Sequence, residues 1–219
     1  YENVLTLNKN KEIDFIYSDE DKIDENGMLS DPHFKPDWSP NNLQSRNYIC
    51  HFSVIRTELV RQVGGFRLGY EGSQDFDLFL RVTEQTNKIH HIPKILYHWR
   101  MHEASTAQNI DSKPYTINAG IKSLEDALIR KNLTGKVSQI GTLPGYYQVR
   151  YDIKEKKKVS IIIPSKNLAE ITDVCINSIF TLTDYPDFEV VLINNNSDEE
   201  SFFGMIKKWE EKEPQRFKC

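Results

Sequence analysis

The sequence has few cysteines, no long apolar run and no excess of positive charge, and each shortage excludes a class of protein. Its three cysteines, Cys50, Cys175 and Cys219, are far apart and odd in number, so we expect buried free thiols in a reducing compartment and no structural zinc. The longest apolar runs, such as 159–164, fall well short of the roughly 20 residues that a membrane-spanning helix needs. The formal net charge of −4 provides no general basic field, so nucleic acid is not an expected partner.

The remaining composition, 38% hydrophobic and 27% charged, is typical of a globular protein. The chain starts without methionine inside a predicted helix (1–10), and we expect it to be part of a longer polypeptide. A basic run, KEKKK, separates two different patterns and is either a solvated linker or a binding patch. We therefore predict a first domain at 1–152, a linker at 153–158 and a second domain at 159–219.

The order of predicted elements indicates an α/β fold. For the first domain, the pattern predicts a strand at 14–18, a loop at 25–47, a strand at 48–55, helices at 56–63 and 75–88, a strand at 90–99, a helix at 114–131 and a hairpin at 137–151. For the second, it predicts a βαβα series at 159–163, 170–182, 188–193 and 201–213. Such a series opens a doubly wound parallel sheet and stops too soon to complete one.

Asp75 is the strongest candidate for a chemical role in the sequence. It follows a glycine-containing loop, GYEGSQ, and opens a predicted helix whose apolar face would hold it rigidly. A carboxylate in that place could face a cleft. The alternative is that it serves only to cap the helix.

Two further groups of polar residues each have two interpretations. Asp19, Glu20, Asp21 and Asp24 follow the first strand and are either hard oxygen ligands for Mg²⁺ or Mn²⁺ or a solvated acidic turn. The alternating residues of YHWRMH, His98, Arg100 and His102, would bind phosphate or a metal, or else belong to an amphipathic edge strand.

Several blocks of the sequence together resemble the inverting family-2 glycosyltransferases, specifically the tandem-domain enzymes of bacterial O-antigen, capsule and rhamnan-type polysaccharide synthesis. The blocks occur in family order and cover nearly the whole chain: YSDEDKID, SDPHFKPDWSP, NYICHFSVIR, VGGFRLGYEGSQDFDLFLRV, HIPKILYHWRMHEAST and VSIIIPSKN. The resemblance implies a GT-A fold with Rossmann-like elements, incomplete in both domains. The first domain would be an acceptor-side half, and the second the nucleotide-binding start of another.

The resemblance also implies roles for individual residues. Asp75 aligns with the general base of the family, with Gln74 replacing the acid that often precedes it. The remaining implied sites are the acceptor side at Asp19, Asp21, Glu71 and Gln74, the donor diphosphate site at Trp99, Arg100 and His102, and the second-domain nucleotide site at Pro164, Ser165, Asn167, Asn194 and Asn195. A divalent cation, Mg²⁺ or Mn²⁺, is expected in the complete enzyme, with His102 as one candidate ligand and the metal-binding DxD motif upstream of this chain.

The implied reaction is sugar transfer from a UDP- or dTDP-sugar to a hydroxyl of a glycan or lipid-linked acceptor. The implied location is the cytoplasm, including the inner membrane face where lipid-linked acceptors lie. The competing interpretation is a carbohydrate-binding or scaffolding module that keeps the fold without catalysis. Loss of transfer in an Asp75→Asn variant that still folds distinguishes the two.

Overall fold

A computed structural model describes residues 1–101 and 114–219 and shows a mixed α/β architecture. The chain divides into two compact units, Tyr1–Asp152 and Ile153–Cys219, which are described separately. The elements of the first are α1 (Glu2–Lys9), β1 (Phe15–Ile23), β2 (Leu29–His33), α2 (Pro40–Ser45), β3 (Ser53–Ile55), α3 (Thr57–Gln62), α4 (Gln74–Thr83), β4 (Ile89–Arg100), α5 (Pro114–Arg130), β5 (Gly135–Gln139) and β6 (Tyr147–Tyr151). Those of the second are β7 (Val159–Ser165), α6 (Ala169–Leu182), β8 (Phe188–Asn194), α7 (Glu200–Lys212) and β9 (Phe217–Lys218).

The sheet of the first unit is built around β1, which pairs antiparallel with β2 and β3 and parallel with β4. The apolar start of β1, Phe15 to Tyr17, is fully buried because aromatic and β-branched side chains fill the core on both faces of the strand. Helices α4 and α5 pack on this sheet through Phe76, Phe79 and Leu124. The parallel pairing of β1 and β4 brings the carboxyl ends of both strands to one edge of the sheet.

The antiparallel hairpin of β5 and β6 adds Tyr147 to the same core. Tyr147 stacks on Phe76 with ring centroids 5.9 Å apart and lies directly over Gly120 of α5. A Cβ at Gly120 would collide with the Tyr147 hydroxyl, so glycine is required for this close approach.

The second unit is a three-stranded parallel sheet in the order β7, β8, β9, with α6 and α7 packed against it. Its core centres on Trp209, which is fully buried and stacks on Phe180. Consecutive β7, α6 and β8 form the βαβ unit that the sequence predicts, because continuous apolar strands alternate with amphipathic helices.

Four expectations from the sequence are wrong in detail. Strand β1 continues through the acidic residues to Ile23, although the sequence places its end before them. The predicted loop at 25–47 contains β2 and α2, and the predicted strand at 48–55 is reduced to β3. Cys175 and Cys219 are free but exposed, because each lies on a surface that its own unit does not cover.

None of the helices within residues 1–101 and 114–219 combines the length and the apolar content that a membrane crossing requires.

Candidate active site

The candidate site is built on the first turn of α4, which a buried ion network fixes to the rest of the unit. Asp77 is fully buried and accepts hydrogen bonds from Arg81 Nε at 3.0 Å and Arg67 Nε at 3.1 Å. Arg81 also donates to the carbonyl oxygens of Val63 and Gly65. These bonds hold the loop before α4 against the helix itself, so residues 72–75 have a defined position.

Gly72 and Ser73 complete the loop that leads into α4. Gly72 has a φ of +82°, and a Cβ there would lie 2.5 Å from Thr116 Cγ2, so only glycine fits. The Ser73 hydroxyl donates to the Thr116 carbonyl at 2.8 Å. The loop is thereby attached to α5 as well as to α4.

Asp75 lies in the first turn of α4, one residue after its start, and Ser73 rather than Asp75 occupies the N-cap position. One carboxylate oxygen accepts the Phe76 amide at 2.9 Å, and the other accepts Asn47 Nδ2 at 2.9 Å. The first bond is a local contact within the first turn and not an N-cap bond, so the capping interpretation is wrong. The second bond orients the carboxylate towards Asn47, which lies outside the helix.

A cavity of about 510 Å³ opens beside this carboxylate. The residues that line it come from five parts of the first unit and combine acidic, amide, imidazole and aromatic groups: Asn47, Cys50, His51, Gly72, Ser73, Gln74, Asp75, Phe76, Trp99, Thr116, Gly145 and Tyr147. Its volume lies within the usual range of about 300–1,000 Å³ for ligand sites. A half-buried carboxylate beside aromatic rings and amides can bind a sugar, whose hydroxyl groups form hydrogen bonds and whose C–H faces pack on rings.

His51 is held firmly at the wall of this cavity. Its ring stacks on Tyr97 at 4.7 Å and contacts Trp99 at 5.3 Å between centroids. Both its backbone amide and its Nδ1 contact Glu20 Oε2, at 3.2 and 3.1 Å. With Nδ1 paired to the carboxylate, the orientation of the imidazole is fixed as in other carboxylate-oriented histidines.

Glu20 is the centre of a buried polar cluster behind the cavity. Its side chain is 7% exposed and lies 3.4 Å from His33 Nδ1, 3.1 Å from His51 Nδ1 and 3.8 Å from Lys35 Nζ. Burial opposes its ionisation, but the hydrogen bonds from His33 and His51 and the charge of Lys35 outweigh this and lower the pKa of Glu20 to about 2. Burial lowers the pKa of Lys35, which donates to the Ile49 and His51 carbonyls.

The Glu20 cluster makes stability depend on acid pH in a defined direction. Because the pKa of Glu20 falls from its ordinary 4.5 to about 2 on folding, its contribution is complete above about pH 5 and disappears as the pH falls from there towards 2. We expect this contribution to be roughly 3 kcal/mol. Urea unfolding at pH values from 3 to 7 should show a smaller loss of unfolding free energy in Glu20→Gln than in the unmodified chain. If the unfolding free energy of both proteins fell by the same amount between pH 7 and pH 3, the stabilising role of the Glu20 carboxylate would be contradicted.

Asp19 and Asp21 are buried, which contradicts the expectation of a cluster that faces water. Asp19 Oδ1 accepts His91 Nε2 at 2.8 Å and the Lys35 amide at 2.9 Å, and Asp21 pairs with His98 Nδ1. The reason is that β4 runs parallel to β1 and supplies a histidine partner to each acid: His98 lies opposite Asp21, and His91, which lies opposite Tyr17, reaches Asp19. Neither residue lines the cavity at Asp75.

The other predicted residues of the first unit fall into two groups. Gln74 and Trp99 line the cavity together with Asp75, and Gln74 Oε1 accepts the Gly72 amide at 2.7 Å. Glu71 and Arg100 are exposed and do not line it, because Glu71 precedes the turn into α4 and Arg100 alternates with Trp99 along β4. His102 lies outside the described residues.

The described residues do not fit a divalent cation. Within 1–101 and 114–219, no group of three or more His, Cys, Asp or Glu side chains is arranged to hold a metal ion. Asp19, Glu20 and Asp21 are instead paired with histidines and a lysine, which compete directly with a cation for these oxygens.

The second unit brings its predicted residues together at the carboxyl ends of β7 and β8. Ser165 pairs in register with Asn194, and the Asn195 amide donates to the Ser165 carbonyl at 2.8 Å. Asn167 joins this edge to the start of α7 by accepting the Asp198 amide at 3.0 Å and donating to its carboxylate at 2.7 Å. Pro164 precedes Ser165 at the same edge, where ligands of open parallel sheets bind.

Most of the second unit resembles a known protein family. The sequence profile described as Glycosyl transferase family 2 matches residues 160–219. This segment belongs to glycosyl transferase family 2. The match supports the family resemblance over this segment, and the mixed α/β architecture is consistent with a GT-A fold.

Two curated relatives extend the similarity over both units. The O-antigen biosynthesis protein RfbC of Myxococcus xanthus is 39% identical over 198 residues, which are 90% of this chain and 15% of that protein. The uncharacterized protein y4gI of Sinorhizobium fredii is 40% identical over 211 residues, or 93% of this chain and 23% of that protein. The chain thus spans less than a quarter of the length of either relative.

Sequence reasoning missed Asn47, His51 and Tyr147 as cavity residues. Asn47 and His51 lie in NYICHF, whose aromatic and β-branched residues favour a strand and mask the polar positions between them. The available signal was the pair of polar side chains inside an apolar run. Nothing local indicates Tyr147, which reaches the cavity only through the packing of the hairpin on α5.

Proposed function

We propose that the cavity at Asp75 is the acceptor site of an inverting glycosyltransferase of bacterial surface polysaccharide synthesis. The observation that carries this is a carboxylate fixed by Asn47 and the Phe76 amide at the edge of a cavity walled by Trp99 and Tyr147. The family match supports sugar transfer as the reaction. The name of the Myxococcus relative, O-antigen biosynthesis protein, supports O-antigen as the class of product.

Asp75 acts in this proposal as the general base. Its carboxylate accepts the proton of an acceptor hydroxyl while that oxygen attacks the anomeric carbon of the donor. The new C–O bond forms as the bond from the anomeric carbon to the diphosphate oxygen breaks, and the electron pair leaves with the nucleoside diphosphate. A single displacement of this kind inverts the anomeric configuration.

The surroundings of Asp75 suit this role. Asn47 holds one oxygen, so the carboxylate stays oriented before the acceptor arrives, and little reorganisation accompanies proton transfer. The aromatic wall of Trp99 and Tyr147 offers apolar surface to the acceptor sugar. His51, held by Glu20, provides a ring nitrogen for a second hydroxyl group.

The proposed donor side lies at the end of β4. We assign Arg100 and His102 to the diphosphate of a UDP- or dTDP-sugar, which a divalent cation, generally used by this family, would also bind. The edge at Ser165, Asn167 and Asn194 would hold a nucleotide in a second catalytic domain.

The stereochemistry of the product tests the reaction type. The protein expressed from its complete gene, incubated with radiolabelled UDP- and dTDP-sugars and membrane lipid acceptors, should transfer label from one of these donors. Proton NMR of the released product should show an anomeric configuration opposite to that of the donor. Retention of configuration would exclude a single displacement with Asp75 as base.

A further inference from the structure

Arg46 connects two parts of the first unit that lie far apart in the sequence. Its Nη1 donates to the Tyr146 hydroxyl at 2.7 Å, and its guanidinium carbon lies 5.5 Å from the centre of the same ring. Its Nη2 lies 2.7 Å from His33 Nε2. One side chain therefore joins the turn between β5 and β6 to the end of β2.

Hydrogen-bonding capacity fixes where His33 carries its proton. An arginine side chain can only donate, so His33 Nε2 must accept from Arg46 and carries no proton. Nδ1 then carries the proton and faces the Glu20 carboxylate at 3.4 Å. Glu20 is ionised at neutral pH and can only accept. A neutral His33 ring thus orients the guanidinium of Arg46 from the Glu20 cluster.

The turn that Arg46 holds forms part of the cavity wall at Asp75. Gly145 and Tyr147, on either side of Tyr146, both line that cavity. The backbone amide and carbonyl of Tyr146 bond to residues 140 and 143, so these bonds close the turn on itself. The bond from Arg46 instead attaches the turn to a different part of the unit.

Arg46 is also adjacent to the residue that orients Asp75. Asn47 Nδ2 donates to the Asp75 carboxylate at 2.9 Å, and Asn47 Oδ1 accepts the Cys50 amide at 3.4 Å. The Arg46 amide donates to the Asn42 carbonyl at 3.1 Å, where α2 ends. Neighbouring residues of one short segment therefore hold both the carboxylate and the turn.

A second tyrosine attaches the other end of the hairpin and provides a comparison. The Tyr151 hydroxyl donates to Gln44 Oε1 of α2. Tyr151 and Tyr146 are both exposed, at 45% and 38%, and neither lines the cavity at Asp75. Of these two hydroxyl groups, that of Tyr146 belongs to the turn whose flanking residues form the cavity wall.

We propose that Arg46 is a positioning residue for transfer, which holds the β5–β6 turn in place so that the acceptor binds in a fixed position relative to Asp75. The inference rests on the proposed function, because it takes this cavity as the acceptor site. Arg46 does not line the cavity and acts through Gly145 and Tyr147. Without its bond, the turn must be ordered when the acceptor binds, and this cost weakens acceptor binding.

Transfer kinetics of the protein from its complete gene test this role, with radiolabelled UDP- and dTDP-sugars and a bacterial membrane lipid extract as acceptor. Tyr146→Phe and Arg46→Met should raise the acceptor KM by about three- to tenfold and leave kcat nearly unchanged. Arg46→Lys keeps the charge but loses the planar fork that reaches both partners, so its KM should rise as well. Tyr151→Phe, the matched control, should behave as the unmodified protein.

Two measurements on the 219-residue chain check the geometry without activity. Amide hydrogen exchange in residues 140–147 should be faster in Tyr146→Phe and Arg46→Met than in Tyr151→Phe. Nitrogen-15 NMR of neutral His33 should show the proton on Nδ1. A proton on Nε2 would contradict the bond from Arg46, because two donors would then face each other.

Equal exchange rates or equal acceptor KM values in Tyr146→Phe and Tyr151→Phe would overturn the inference. A normal KM in Arg46→Lys would also overturn it, because the charge alone would then suffice. Loss of transfer in Asp75→Asn with a normal KM in Tyr146→Phe removes only the role of Arg46. Normal transfer by Asp75→Asn with a raised KM in Tyr146→Phe removes only the general base.

Discussion

The Asp75→Asn variant is expected to transfer sugar about 10²- to 10⁴-fold more slowly than the unmodified protein, which is the usual contribution of a positioned general base. Asparagine has nearly the same shape and keeps an oxygen that can accept Asn47 Nδ2, so the loop and α4 should remain in place. What is lost is the ability to accept a proton. The measurement is kcat for transfer in the protein from its complete gene, together with its unfolding free energy.

Glu58→Gln is the matched control for this substitution. Glu58 is also an acid in the first turn of a helix, α3, but it is exposed and does not line the cavity at Asp75. If Asp75 acts only through the helix dipole, both variants should lose a few tenths of a kcal/mol and neither should lose transfer. Equal kcat values for Asp75→Asn and Glu58→Gln would contradict the role of Asp75 as base.

An aspartate-to-asparagine substitution at Asp77, two residues after Asp75, should lower stability rather than the rate of transfer. We expect Asp77→Asn to lower the unfolding free energy by about 3–5 kcal/mol, because it leaves Arg81 buried without its counter-charge. Asp77 is fully buried and Arg81 is 6% exposed, so water cannot replace the lost carboxylate. The measurement is urea unfolding followed by circular dichroism.

Asp126→Asn serves as the comparison for Asp77. Asp126 accepts Arg67 Nη2 at 2.8 Å in the same network, but its side chain is 27% exposed. A pair so open to solvent should contribute only about 0–1 kcal/mol. If Asp77→Asn and Asp126→Asn lowered the unfolding free energy by similar amounts, burial of the ion pair would not determine the size of the loss.

The sequence predicts most elements of both units because their apolar periodicity is strong. Helix α5 and the βαβ series of the second unit lie within a few residues of their predicted bounds, since long amphipathic or wholly apolar runs leave little choice of structure. Strand β2 and helix α2 were missed because proline and glycine break their pattern. They form through pairing with β1 and packing on the hairpin, which no local signal contains.

The acidic run at 19–21 shows where local reasoning fails. Adjacent carboxylates normally face water, yet these are buried because His91, His51 and His98 arrive from distant segments. Only the parallel pairing of β1 with β4 brings two of those histidines into place. A pattern of histidines elsewhere in the chain cannot by itself reveal such partners.

Only part of the candidate site could be predicted from the sequence, because strand pairing decides which side chains face the cavity. Asp75, Gln74 and Trp99 could be named from the family resemblance, and all three line one cavity. Arg100 could not be separated from Trp99 by sequence, because the face of a strand that looks into a cavity depends on register with its neighbours.

Binding of an acceptor hydroxyl at Asp75 is tested most directly by a structure of the complete gene product with a nucleoside diphosphate, Mn²⁺ and an oligosaccharide acceptor. The account predicts an acceptor hydroxyl about 2.6–3.2 Å from an Asp75 carboxylate oxygen, with its sugar ring beside Trp99 and Tyr147. An acceptor bound elsewhere, or Asp75 coordinated to the metal ion, would contradict it.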